Sequence, residues 1–152
     1  MGTITELLPA NAVLLSVTAT EKVAAIRELA GPLLVDGTIN NEKGFFEAIL
    51  KRENLESTGI GLGVALPHAR TPAVTRTALA FGRSDKGVDF NSLDGKPATL
   101  IFLIAAPEEM KTEYIMTLAR VSKLLRRDDV RAALQEARTP DDVLSILRQH
   151  EQ

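Results

Sequence analysis

Ala98-Thr99-Leu100-Ile101-Phe102-Leu103-Ile104-Ala105-Ala106 is the stretch that decides the fold class. Only Thr99 interrupts its apolar character. Successive side chains of a strand point to opposite faces, so a run apolar at both parities belongs in the middle of a sheet covered on both sides. Pro107 ends it, because proline cannot donate to a ladder. Downstream the spacing becomes helical. Residues 113–125 predict a helix with Ile115, Leu118, Val121, Leu124 and Leu125 as its buried stripe, and residues 128–137 predict another. Thr139-Pro140-Asp141-Asp142 opens a last helix, with a capping threonine, proline at the first helical position and acids in the first turn.

Upstream of the central run, residues 87–97 read as a polar loop and residues 77–82 as a strand. Residues 64–66 form a short strand that delivers His68 at its end, and residues 13–15 form another. Thr18-Ala19-Thr20-Glu21 has capping-box spacing and predicts the start of a helix carrying Val23, Ile26, Leu29, Ala30 and Leu33. Gly31-Pro32 is expected to kink or end that helix. Asn40 or Asn41 caps the next one, which turns Phe45, Phe46, Ile49 and Leu50 inward and places Arg52 at its C-terminal end, where the dipole favours a cation. Helices alternating with short strands give an α/β class, with helices on both faces of the sheet. No linker or repeat interrupts the chain, so residues 1–152 read as a single domain.

Composition narrows the functions. A net charge of −2 with no basic block leaves no electrostatic footprint for nucleic acid. No segment approaches the ~18 apolar residues of a membrane span and no signal peptide is visible, so the expectation is a cytoplasmic protein without membrane insertion. Cysteine is absent, which excludes disulfides, thiol catalysis and thiolate metal sites. With the two histidines far apart, at 68 and 150, no metal site is expected.

The chemistry gathers in Arg52-Glu53-Asn54-Leu55-Glu56-Ser57-Thr58-Gly59-Ile60-Gly61-Leu62-Gly63-Val64-Ala65-Leu66-Pro67-His68-Ala69. A neutral imidazole is nucleophilic near physiological pH and can take up a phosphoryl group, provided its other nitrogen is held as a donor. Pro67 restricts the backbone beside His68. Gly59 and Gly61 can expose backbone N–H groups, Ser57 and Thr58 add hydroxyl donors, and Arg52 can offset phosphoryl charge. Each has a blander reading: a lone histidine after a strand is more often structural, Arg52 is a solvated helix end, and the hydroxyls are turn residues. Rival motifs fail. The glycines precede the strand where a dinucleotide loop would follow one, no Gly-Lys-Ser/Thr is present for a nucleotide loop, and no Gly-x-Ser-x-Gly elbow exists. Neither metal nor cofactor is called for.

The run resembles, position by position, the active-site signature of the mannitol/fructose-type (type 2) enzyme IIA domains of the bacterial sugar phosphotransferase system. Glu53, Ile60, Gly61, Val64, Ala65, Leu66, Pro67, His68 and Ala69 fill its constrained slots. Ile4-Thr5-Glu6-Leu7-Leu8-Pro9, Lys51-Arg52-Glu53 and Pro107-Glu108-Glu109-Met110-Lys111-Thr112 look most like the nitrogen-regulatory branch. The resemblance implies a mixed β-sheet flanked by helices, the mannitol-type enzyme IIA fold, and His68 as acceptor of a phosphoryl group from an HPr-like phosphocarrier protein. Sugar-specific members pass the group to a IIB domain. Nitrogen-regulatory members signal by binding a target protein, the role expected here because no IIB-like or membrane segment is attached. Two departures stand out. Tyr114, in Tyr114-Ile115-Met116-Thr117-Leu118, occupies the place of a second active-site histidine, and Leu62 stands where asparagine is common. Tyrosine can donate a hydrogen bond but cannot become cationic. A carrier and a binding regulator that has lost transfer are therefore both open, with Ile60, Leu62 and Met110 as the expected partner surface.

Overall fold

The structure, a computed structural model, describes residues 2–151. A one-turn helix α1 (Ile4–Leu7), capped by the Thr3 side chain, and a short 3₁₀ turn lead into strand β1 (Val13–Leu14). Helices α2 (Lys22–Val35) and α3 (Glu42–Leu55) follow, then β2 (Gly59–Gly61), β3 (Val64–Ala65), β4 (His68–Arg70), β5 (Ala78–Val88) and β6 (Ala98–Ala106). Helices α4 (Lys111–Leu125), α5 (Asp128–Glu136) and α6 (Pro140–His150) close the chain.

The six strands form one mixed sheet in the order β1-β5-β6-β3-β2, with β4 also on β6. β6 is its axis: β5 runs antiparallel along one side, and β3 and β4 run parallel, end to end, along the other. Apart from the half-buried Thr99, every residue of β6 is buried, as its two-sided apolar pattern requires. Fully burying each of Phe102, Leu103 and Ile104 contributes roughly 1.5–3 kcal/mol. Helices α2 and α3 pack on β5 and β4, while α4, α5, α6 and α1 pack on one another and on β6 and β1.

Local expectations hold where local chemistry decides. Asn41 caps α3 through Gly44 N–H, and Thr139 and Asp142 form a reciprocal capping box on α6. Four differ. Residues 18–21 do not cap α2; Glu28 instead reaches back from the helix to accept the Thr18 and Ala19 N–H groups. Pro32 does not end α2, because buried Ala25, Ile26, Leu29 and Ala30 before it and Leu33 after it hold both segments to the core. Residues 59–61, despite their glycine-rich loop composition, pair with β3, and β5 continues past Gly82 to Val88. On α4 the buried stripe is Thr117, Val121, Leu124 and Leu125; Ile115 is 53% exposed.

Candidate functional site

His68 stands where an interrupted strand resumes. Val64 and Ala65 pair with Leu100 and Ile101 of β6, and His68 pairs with Ile104. Between them Pro67 has no N–H to give, but its carbonyl accepts Ile104 N–H at 3.0 Å, so β6 stays satisfied across the break. The kink brings the Leu66 carbonyl 2.6 Å from His68 Nδ1. A carbonyl can only accept, so Nδ1 carries the proton and Nε2 carries the lone pair. Among the described residues no hydrogen-bond partner meets Nε2.

Burial depresses the His68 pKa below the ordinary histidine value, and the charge of Arg52 pushes it the same way, against the Leu66 bond and Glu53. The ring is therefore neutral at pH 7. Arg52, in the last turn of α3, bonds through Nη1 to the Glu56 carbonyl at 2.8 Å. From the other side, in the first turn of α4, comes Tyr114, whose ring lies 5.8 Å from that of His68 with the planes inclined at 54°. Burial pushes its phenol up to about 12, against the charges of Arg52 and Arg70, so the hydroxyl stays a donor.

The remaining predicted residues divide. The Ser57 hydroxyl donates to the Phe90 carbonyl and accepts Gly59 N–H at 3.0 Å. The Thr58 hydroxyl is buried and donates to Glu53. Gly59 is where the chain passes tightly over Ser92: an added Cβ would stand 3.0 Å from Ser92 Cα. In the structure the Ser57 and Thr58 hydroxyls are thus engaged by groups of the protein itself. Gly61 has φ +90° and turns the β2–β3 hairpin. Leu62, at its tip, also has a left-handed backbone (φ +61°) and is 56% exposed; Met110 is exposed and Ile60 half-buried.

Three further groups around the site stand out only in the structure. Glu53, recognisable only as a signature slot, is buried, bonds Thr58 and pairs with Lys22 at 3.0 Å, tying α3 to the loop and to α2. The Leu66 carbonyl is a backbone group with no residue-type signal. Arg70 follows His68 by two residues on β4, and its guanidinium bonds the Glu108 carbonyl just before α4. Among the described residues no three His, Cys, Asp or Glu side chains are grouped to hold a metal.

Residues 6–150 match the family described as "Phosphoenolpyruvate-dependent sugar phosphotransferase system, EIIA 2". The chain belongs to this family. It is 45% identical over 148 residues to the PTS system fructose-specific EIIABC component of Bacillus subtilis, covering 97% of this EIIA but 23% of that relative. The structure superposes on nitrogen regulatory protein IIA-Ntr from Neisseria meningitidis with a TM-score of 0.87 at 31% identity, covering 95% of this chain and 98% of the other. The mannitol enzyme IIA of Escherichia coli, solved in complex with phosphorylated enzyme IIB, superposes with a TM-score of 0.79 at 26% identity over 94% of this chain and 99% of the other. Among the described residues no helix is long and apolar enough to cross a membrane.

Proposed function

We propose that this EIIA is a phosphoryl carrier that accepts the group on His68 Nε2 from an HPr-like phosphocarrier protein, in a nitrogen-regulatory, signalling role. The observation that carries the reading is the 2.6 Å contact of His68 Nδ1 with the Leu66 carbonyl, which fixes the tautomer and leaves a neutral Nε2 lone pair. In the transfer, Nε2 attacks phosphorus as the P–N bond of the donor's phosphohistidine breaks, and that electron pair returns to the donor ring. Each ring keeps its other N–H, so one positive charge passes from the donor ring to His68. The Leu66 carbonyl then accepts a charge-assisted bond from the new cation. Arg52 and the N–H groups of the first turn of α4 face the phosphoryl oxygens, and Tyr114 donates through its hydroxyl. The protein is a transferase component working in the cytoplasm, not a stand-alone turnover enzyme.

Incubation with phosphoenolpyruvate, enzyme I and an HPr-like carrier should add one phosphoryl group, mapped by peptide analysis to His68; a group found on another residue overturns the assignment. A second reading, transfer to a sugar-specific IIB domain, is favoured by the 45% identity with the fructose-specific relative. Mixing the phosphorylated protein with a fructose-type IIB decides between them. Rapid stoichiometric discharge supports the sugar role, and retention supports the regulatory one.

A further inference from the structure

We propose that Arg70 binds the phosphoryl group carried by His68 and supplies the positive charge that Tyr114 cannot. This rests on the carrier reading above. His68 and Arg70 are two residues apart in β4, so their side chains leave the same face of the strand with Cα atoms ~6.6 Å apart. An arginine spans that gap. His68 is buried and Arg70 exposed, so the arginine remains accessible to an incoming group.

The guanidinium is already drawn towards the chemistry. It bonds the Glu108 carbonyl, in the turn that leads into α4, and so bridges the strand of His68 to the helix of Tyr114. The charges of Arg70 and Arg52 both act on the Tyr114 phenol, and Arg52 also acts on the His68 ring. The two arginines thus both act on the Tyr114 ring that faces His68, and they come from different elements, α3 and β4. Among the described residues Arg70 forms no ion pair with a carboxylate, and the Glu108 carbonyl engages one of its five N–H donors. The rest of the fork is available to a phosphoryl oxygen. Tyr114 donates one hydrogen bond and stays uncharged, so a site with Arg52 alone would hold a phosphoryl dianion against a single fixed cation. Arg70 makes it two. A purely structural Arg70 would only strap β4 to the turn before α4.

Single-turnover transfer from a phosphorylated HPr-like carrier, with the decay of the phosphorylated form followed by intact mass, separates these roles. Arg70→Gln should slow transfer, shorten the phosphohistidine lifetime, or both, by on the order of tenfold, with the melting temperature held. Arg70→Lys should fall between. The decisive variant is Tyr114→His in the Arg70→Gln background. An imidazole there can take over the missing charge, so the double variant should recover most of the loss. Its advantage over Arg70→Gln should grow as pH falls towards the imidazole range near 6.5, a signature that a structural strap would not produce. Parent-like rates in Arg70→Gln, or no recovery in the double variant, overturn the role of Arg70 while leaving the carrier reading intact. A parent protein that takes up no phosphate overturns both.

Discussion

At the scale of single residues the site works by fixing which nitrogen of one imidazole is free. Burial and the Arg52 charge keep His68 neutral, and the Leu66 carbonyl keeps its proton on Nδ1. The pH consequence has a definite sign. Because the folded-state pKa lies below the ordinary histidine value of 6.5, uptake of the phosphoryl group should persist as pH falls through 6.5 and fail only nearer the depressed value. The same shift makes the folded protein take up this proton later than the unfolded chain. His68 therefore removes stability progressively as pH falls below about 6.5, down to its folded value, and none above. Urea unfolding across this window should show a weaker acid loss in His68→Gln than in the parent; identical curves contradict the assignment. The role proposed for Arg52 is kinetic: a charge-assisted bond to the transferring group is worth about 1.5–3 kcal/mol, so Arg52→Ala should slow transfer roughly ten- to a hundredfold. An unchanged single-turnover rate in a folded variant excludes that role.

At the scale of elements, packing sets what the site can tolerate. β5 carries Gly82 beneath α2, where an added Cβ would stand 2.7 Å from Leu29 Cδ1 and 2.8 Å from Val17 Cγ2. Gly82→Ala should therefore cost about 1–3 kcal/mol of stability in a denaturant titration, as overpacking does; a neutral effect would show that α2 shifts freely on the sheet. The β2–β3 hairpin holds Leu62 at φ +61° with its side chain in solvent, a backbone that asparagine adopts with less strain. Leu62→Asn should keep or raise the melting temperature while weakening carrier binding in a titration, because it removes an aliphatic contact from the docking face. Undiminished binding removes this hairpin from the interface.

These elements also mark how far the sequence could be read. β6, the α3 cap and the α6 capping box were legible because each rests on its own residue types: a two-sided apolar run, an asparagine, and a Thr-Pro-Asp-Asp start. β2 was not legible, since Gly-Ile-Gly carries loop composition and becomes a strand only through pairing with β3. The start of α2 was misread because Glu28, ten positions from Thr18, supplies the bonds that a local cap would have made. At the site, His68, Arg52 and Tyr114 were visible as residue types. The Leu66 carbonyl, the Glu53–Lys22 pair and the reach of Arg70 across to Glu108 depend on which strands the fold sets side by side.

At the scale of the whole molecule, the sheet serves as a frame that brings one end of β4, the end of α3 and the start of α4 together. Both parallel neighbours of β6 lie on one side of it, so the break between β3 and β4 opens beside the strand that leads to α4. That placement sets one imidazole beside the Tyr114 ring and within the field of Arg52, without a metal-binding cluster among the described residues. Direct transfer to and from that imidazole is the central claim. Intact-mass analysis after incubation with phosphoenolpyruvate, enzyme I and an HPr-like carrier tests it most directly. The account predicts one acid-labile phosphoryl group on the parent and none on a folded His68→Ala variant; phosphate uptake by His68→Ala, or none by the parent, would contradict it.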